Sequence, residues 1–99
     1  MTVIWSAEAQ AQLAAIHDNV AENDPQAAEA LIKRLVARVV QLETVPFSGR
    51  RVPEYPDDDL RELLLRPYRI IYRQRDERVE VVTVMHYRQL LPINPRDLT

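Results

Sequence analysis

Two runs constrain this chain more than anything else in it: Leu60–Arg73, LRELLLRPYRIIYR, and Val79–Arg88, VEVVTVMHYR. Both are rich in β-branched, aliphatic and aromatic residues, and the polar pair Asp76–Glu77 lies between them. That pattern predicts neighbouring strands joined by a tight turn. The predicted strands run near Leu60–Arg66, Tyr68–Arg75 and Val79–His86. A period of two puts Tyr68, Ile70 and Tyr72 on one face, with Arg69, Ile71 and Arg73 on the other. In the last strand Val79, Val81, Thr83 and Met85 should oppose Glu80, Val82, Val84 and His86. Apolar residues therefore occupy both faces, and both want cover.

The N-terminal half supplies cover for one face. Thr2–Trp5 reads as a short strand, and Ser6 as the N-cap of a helix with Glu8 in its first turn. Ala9, Leu13, Ile16 and Val20 follow at helical spacing, and the helix should stop near Glu22–Asn23. Asp24 then caps a second helix with Pro25 in its first position. Its stripe of Ala28, Leu31, Ile32, Leu35, Val36, Val39 and Leu42 predicts a helical hairpin. Thr44–Asp59 reads as a loop, because it holds three prolines and the single glycine. After Arg88 the prolines of QLLPINPRDLT forbid a long helix. The order is βααβββ: an α+β fold with a helical hairpin on one face of an antiparallel sheet, as one domain spanning 1–99. Since two helices reach one face only, the second is expected to stay partly apolar and open, the mark of an interface. Leu90 and Leu91 in the tail should either fold back on the sheet or touch a target.

Composition excludes several classes. At 46% hydrophobic and 28% charged residues the chain is globular rather than disordered. The longest apolar runs are far too short to span a bilayer, and MTVIWSAEAQ lacks the basic and apolar regions of a secretory leader. A cytoplasmic protein is expected. Without cysteine there is no disulfide or thiolate metal site, and two histidines at 17 and 86 form no ligand cluster. One glycine excludes a glycine-rich phosphate loop. No metal or cofactor is expected.

Charge is uneven. Residues 1–60 carry five basic and ten acidic groups, and residues 61–99 carry eight and five. Twelve of the thirteen basic residues are arginine, the side chain suited to bidentate contact with phosphate or carboxylate. Arg61, Arg66, Arg69, Arg73 and Arg88 are candidate target contacts, with Leu90 and Leu91. RNA cleavage by its own 2′-hydroxyl needs a base, positive charge on the phosphate and an acid for the leaving oxygen. Glu54, Arg69 and His86 offer those groups, with Tyr87 beside the histidine. Each has a structural alternative: Glu54 as an exposed or arginine-paired carboxylate, Arg69 as a partner of Glu62 on the next strand, His86 as a hydrogen-bonded strand-end residue.

The ordered set VIWS at 3–6, Asp24-Pro25, PFSGRRVPE at 46–54, RELLLRPYRIIYR at 61–73 and VVTVMHYR at 81–88 resembles the RelE/ParE superfamily, the toxins of bacterial type II toxin–antitoxin pairs. The resemblance implies two alternative activities. ParE-like members poison DNA gyrase and block replication, whereas RelE- and YoeB-like members cleave mRNA on the ribosome. RelE-type members carry lysines on the strand before the Tyr-Arg strand; here that strand offers Arg61, Glu62 and Arg66, and the single lysine, Lys33, lies in the second helix. Glu54, Arg69, His86 and Tyr87 match the YoeB-type catalytic set in kind. The ParE-like reading is preferred, with the nuclease as runner-up and an inactive toxin-fold binding partner as the third. Either toxin reading implies an antitoxin chain in a hetero-oligomer, expected on the open sheet face or along the helical hairpin near Leu31, Leu35 and Val39.

Overall fold

The computed structural model describes residues 1–98. Strand β1 (Thr2–Trp5) leads into helices α1 (Ala7–Ala21) and α2 (Pro25–Val40), followed by β2 (Arg50–Arg51), β3 (Arg61–Leu65), β4 (Tyr68–Arg75) and β5 (Arg78–His86). The sheet order is β1-β5-β4-β3-β2, antiparallel except for the parallel pair β1–β5. The two-residue strand β2 lies inside the segment expected to be loop. It pairs with the start of β3, which makes the sheet five-stranded.

Local chemistry sets the helix starts. Ser6 Oγ accepts from the Ala9 amide at 3.0 Å, and Asp24 Oδ1 accepts from the Ala27 amide at 3.0 Å, with Pro25 pre-set for the first turn. The β4–β5 turn puts Asp76 at φ 55°, a left-handed conformation that a short polar side chain tolerates. The hairpin lies on one face of the sheet. There Leu35 and Val39 of α2 and Ala9 and Ile16 of α1 bury against Ile70, Tyr72, Val79, Val81 and Val84.

Strict alternation fails in β5. Tyr72 pairs with Val81 but Ile71 pairs with Thr83, so Val82 is an extra, bulged residue. Val84 therefore joins the helix-side core, while Met85 lies on the opposite side with Val82. The grouping of Val79, Val81, Thr83 and Met85 on one face is thus corrected by the bulge. Ser6 is fitted to it: besides capping α1, its hydroxyl donates to the Val82 carbonyl at 2.8 Å.

The second face is not left open. Val52, Tyr55 and Leu60 from the proline-rich segment, with Leu98 from the tail, bury against Ile71, Val82 and Met85. Leu91 packs on the same cluster, and the Tyr55 hydroxyl donates to the Pro92 carbonyl. A short 3₁₀ turn, Pro95–Leu98, seats Leu98. What helices do for one face, an irregular segment and a folded-back tail do for the other. No helix among the described residues is long and apolar enough to cross a membrane.

Candidate functional site

Position alternation sends Arg69 toward the second face, where β3 presents Glu62 and the segment after β2 presents Glu54. Arg69 Nε donates to Glu62 Oε1 at 2.6 Å, and its two terminal nitrogens grip both oxygens of Glu54 at 2.7 and 2.8 Å. The other oxygen of Glu62 accepts from Arg50 Nε at 2.6 Å. The result is a chain of alternating charge, Glu54–Arg69–Glu62–Arg50, with no net charge. Glu62 has no exposed side-chain surface, and Arg69 only 9%. The hydrogen bonds from Arg69 hold the Glu54 carboxyl below its ordinary range despite some burial. Bonds to Glu54 and Glu62 raise Arg69 further, against the desolvation that opposes its charge. A carboxylate with a lowered pKa that is already bidentate to arginine is a weak proton acceptor.

Glu54, Arg69, Arg66 and Tyr87 line one hollow with Arg50, Pro53 and Leu64. His86 is elsewhere. It pairs with Tyr68 in the β4–β5 ladder, on the helix side, with the rings edge-on at 5.6 Å and 83°. Its Nδ1 accepts from the Arg88 amide at 3.0 Å. The sheet thus separates the two halves of the expected catalytic set: Glu54, Arg69 and Tyr87 gather, and His86 does not join them.

A second feature had no sequence signal assigned to it. Between the outer edge of β1 and the helical hairpin lies an open groove of about 680 Å³, walled by Val3, Ile4, Trp5, Leu13, Ala14, Ile32 and Val36, with Gln10 and His17 at its polar margin. β1 bonds to β5 on one side only, so its other edge carries unpaired backbone groups beside this apolar wall.

The ParE toxin model, "ParE toxin of type II toxin-antitoxin system, parDE", matches residues 3–91. The chain belongs to the ParE toxin family. Within the RelE/ParE superfamily it is 38% identical to a protein described as a candidate toxin, Y4kP, of Sinorhizobium fredii, over 89% of this chain and 90% of that one. Its fold is similar to a structure titled as the chromosomal ParDE toxin–antitoxin system from P. aeruginosa, with a TM-score of 0.74 and 25% identity, over 87% of this chain and 95% of that one.

In this ParE-family chain the remaining expected contacts divide by exposure. Leu35 and Val39 are completely or almost completely buried in the helix-side core, so these two are corrected from partner surface to interior, while the half-buried Leu31 packs against that core. The stripe keeps its helical spacing, and its central positions point inward. The apolar surface of α2 is Val36 and Val40, one position further on. Arg66 and Arg88 are exposed, while Arg73 is half-buried. Arg61 donates to the Gly49 carbonyl and covers the Phe47 ring at 5.2 Å. Leu91 is turned toward the second core, whereas Leu90 and Ile93 stand free at 94% and 101% exposure. Among the described residues no group of three histidine, aspartate or glutamate side chains could hold a metal ion.

Proposed function

We propose that this ParE-family toxin acts on DNA gyrase, halting replication, and is neutralised by an antitoxin that occupies the groove between β1 and the helical hairpin. One observation carries the choice of target. Arg69, the natural phosphate clamp of the nuclease reading, is closed by Glu54 and Glu62, and His86 stands on the opposite face of the sheet. General acid–base cleavage needs these groups around one phosphate. A gyrase inhibitor needs none of them to react. The family match and the likeness to a ParDE structure support the same reading.

The groove supports the antitoxin half. An apolar trough beside an unpaired strand edge suits a partner that adds a strand or lays an amphipathic helix into it. In this reading the partner covers Ile4 and Val36, both more than a third exposed.

Two assays on the purified chain test the target. Inhibition of gyrase supercoiling, with accumulation of cleaved DNA and intact mRNA on translating ribosomes, is the expected outcome. Ribosome-dependent mRNA cleavage abolished by His86→Ala overturns it and favours the YoeB-like nuclease. Inactivity in both assays favours the inert binding partner.

A further inference from the structure

Strand β2 stops short of its neighbour. It pairs only with Arg61 and Glu62, whereas β3 runs on to Leu65. The Val52 amide donates to the Leu60 carbonyl at 3.1 Å, so alternation turns the backbone groups of Leu60, Glu62 and Leu64 toward this outer edge. Glu62 meets β2 there, but Leu64, two residues on, meets no strand. Its carbonyl receives the Arg38 guanidinium at a long 3.4 Å. A gap in the ladder therefore lies at this edge, on the far side of the sheet from β1.

The side chains around the gap give it a sign. Leu64 lines the hollow of about 450 Å³ that holds Glu54, Arg66, Arg69 and Tyr87. The carboxylates here are committed: Glu54 grips Arg69, and the buried Glu62 lies between Arg69 and Arg50. Those four charges cancel. Arg66 stands outside the balance, exposed and without a hydrogen bond or ion pair among the described residues. From the helix side Arg38 reaches the gap, and its side-chain partner is the neutral Gln41 Oε1 at 3.0 Å. Two arginines thus flank the unpaired backbone of Leu64, one from each face, with no carboxylate bonded to either.

That combination chooses the occupant. A second copy of this chain would bring another Arg38 and Arg66 to the same gap, and like charges set together are costly. A nucleic acid has no amide ladder to offer Leu64, and its phosphates would meet the part-exposed Glu54 carboxylate. An extended peptide supplies the N–H and C=O groups that the edge lacks. Acidic side chains on it reach Arg66 from one face and Arg38 from the other.

We infer that the outer edge of β3 at Leu64 takes an extended acidic segment of a partner protein as an added strand. This surface lies across the sheet from the groove assigned to the antitoxin. Its test uses neither antitoxin nor gyrase, so the readings fail separately.

The experiment is fluorescence anisotropy with the full chain and a labelled, end-capped peptide of mixed glutamate and threonine, about eight residues long, in about 50 mM salt. Saturable binding is expected, with none for the matching lysine–threonine peptide. Arg66→Glu should weaken it at least about tenfold. Arg75→Glu makes the same change of net charge at the other end of β4, on an exposed residue, and should leave binding unchanged. The acidic peptide N-methylated at every residue keeps its charge but cannot join a ladder, and should not bind. Absence of binding, indifference to Arg66→Glu, or equal binding of the N-methylated peptide overturns the inference. Displacement of the peptide by a single-stranded oligonucleotide more readily than by unlabelled peptide also overturns it, and assigns the edge to nucleic acid.

Discussion

Replacing Arg69 with methionine isolates the energetics of the buried charge chain. Glu62 has no exposed side-chain surface, and each of its oxygens has one charged donor. Removing one partner from a buried pair costs about 3–5 kcal/mol, because a charge is left uncompensated away from water. Arg50 remains on Oε2, but it is 58% exposed and solvent screens much of its attraction. The lost contact to Glu54, which is 44% exposed, adds only about 0.2–1 kcal/mol. The sum should therefore stay near 3–5 kcal/mol, a large share of a typical stability of about 5–15 kcal/mol. For a domain of this size each kcal/mol shifts Tm by about 4–8 °C, so a fall of at least about 12 °C is expected. The double variant Arg69→Met/Glu62→Leu removes both charges and should recover most of that loss. Urea unfolding followed by circular dichroism measures wild type, Arg69→Met, Glu62→Leu and the double variant. An Arg69→Met protein within about 1 kcal/mol of wild type, or a double variant as unstable as the summed singles, refutes the reasoning. If the reasoning holds, lost toxicity in an Arg69 variant reports lost fold before it reports a lost contact.

Other outcomes are equally specific. Gly49 donates its amide to the buried Tyr72 hydroxyl at 2.9 Å, so Tyr72→Phe should cost about 1–3 kcal/mol in urea unfolding by orphaning that donor. A Cβ at Gly49 would lie 2.6 Å from the Glu62 carbonyl oxygen and 2.7 Å from the Tyr72 hydroxyl, so Gly49→Ala should cost about 1–3 kcal/mol through overpacking. The folded-state pKa of Glu54 is depressed by Arg69, so its contribution is present above the unfolded value and disappears as pH falls through the folded one. Glu54→Gln should accordingly flatten the acid limb of stability below about pH 4 while leaving its slope at neutral pH unchanged. Val36→Asp should leave Tm within a few degrees, because the side chain is on the surface, yet weaken antitoxin capture at least tenfold in a titration of the purified pair. Unchanged capture would move the antitoxin off the groove.

Much of the architecture was legible because it rests on local rules. Ser6 and Asp24 announced two helix starts, the Asp24-Pro25 break announced the hairpin, and the alternation of YRIIYR announced β4. The cover of the second face was not legible. It is built by Val52, Tyr55, Leu60 and Leu98, residues scattered through proline-rich segments without periodicity, and only their contacts reveal them as one layer. The bulge at Val82 escaped for a related reason: a run of valines satisfies either face, so its pattern does not show where alternation slips. The groove beside β1 was hidden because it is made by three separate elements. At the candidate site, the residue types pointed equally to catalysis and to ion pairing. The spacing along the chain could not say that Glu54 and Glu62 would reach Arg69 together while His86 stood across the sheet.

Strand β4 has neighbours on both edges and a packed layer on both faces, with residues 69–72 buried in succession. Its amide protons should therefore exchange with solvent only when the entire molecule unfolds, making it the slow reference against which other segments are timed. β1 is the opposite case, bonded on one edge and half-exposed, so its amides should open in small local excursions and exchange early. An occupant of the neighbouring groove would slow β1 while leaving the β4 rate tied to global stability. The ratio of the two rates thus separates a ligand that docks from one that merely stabilises.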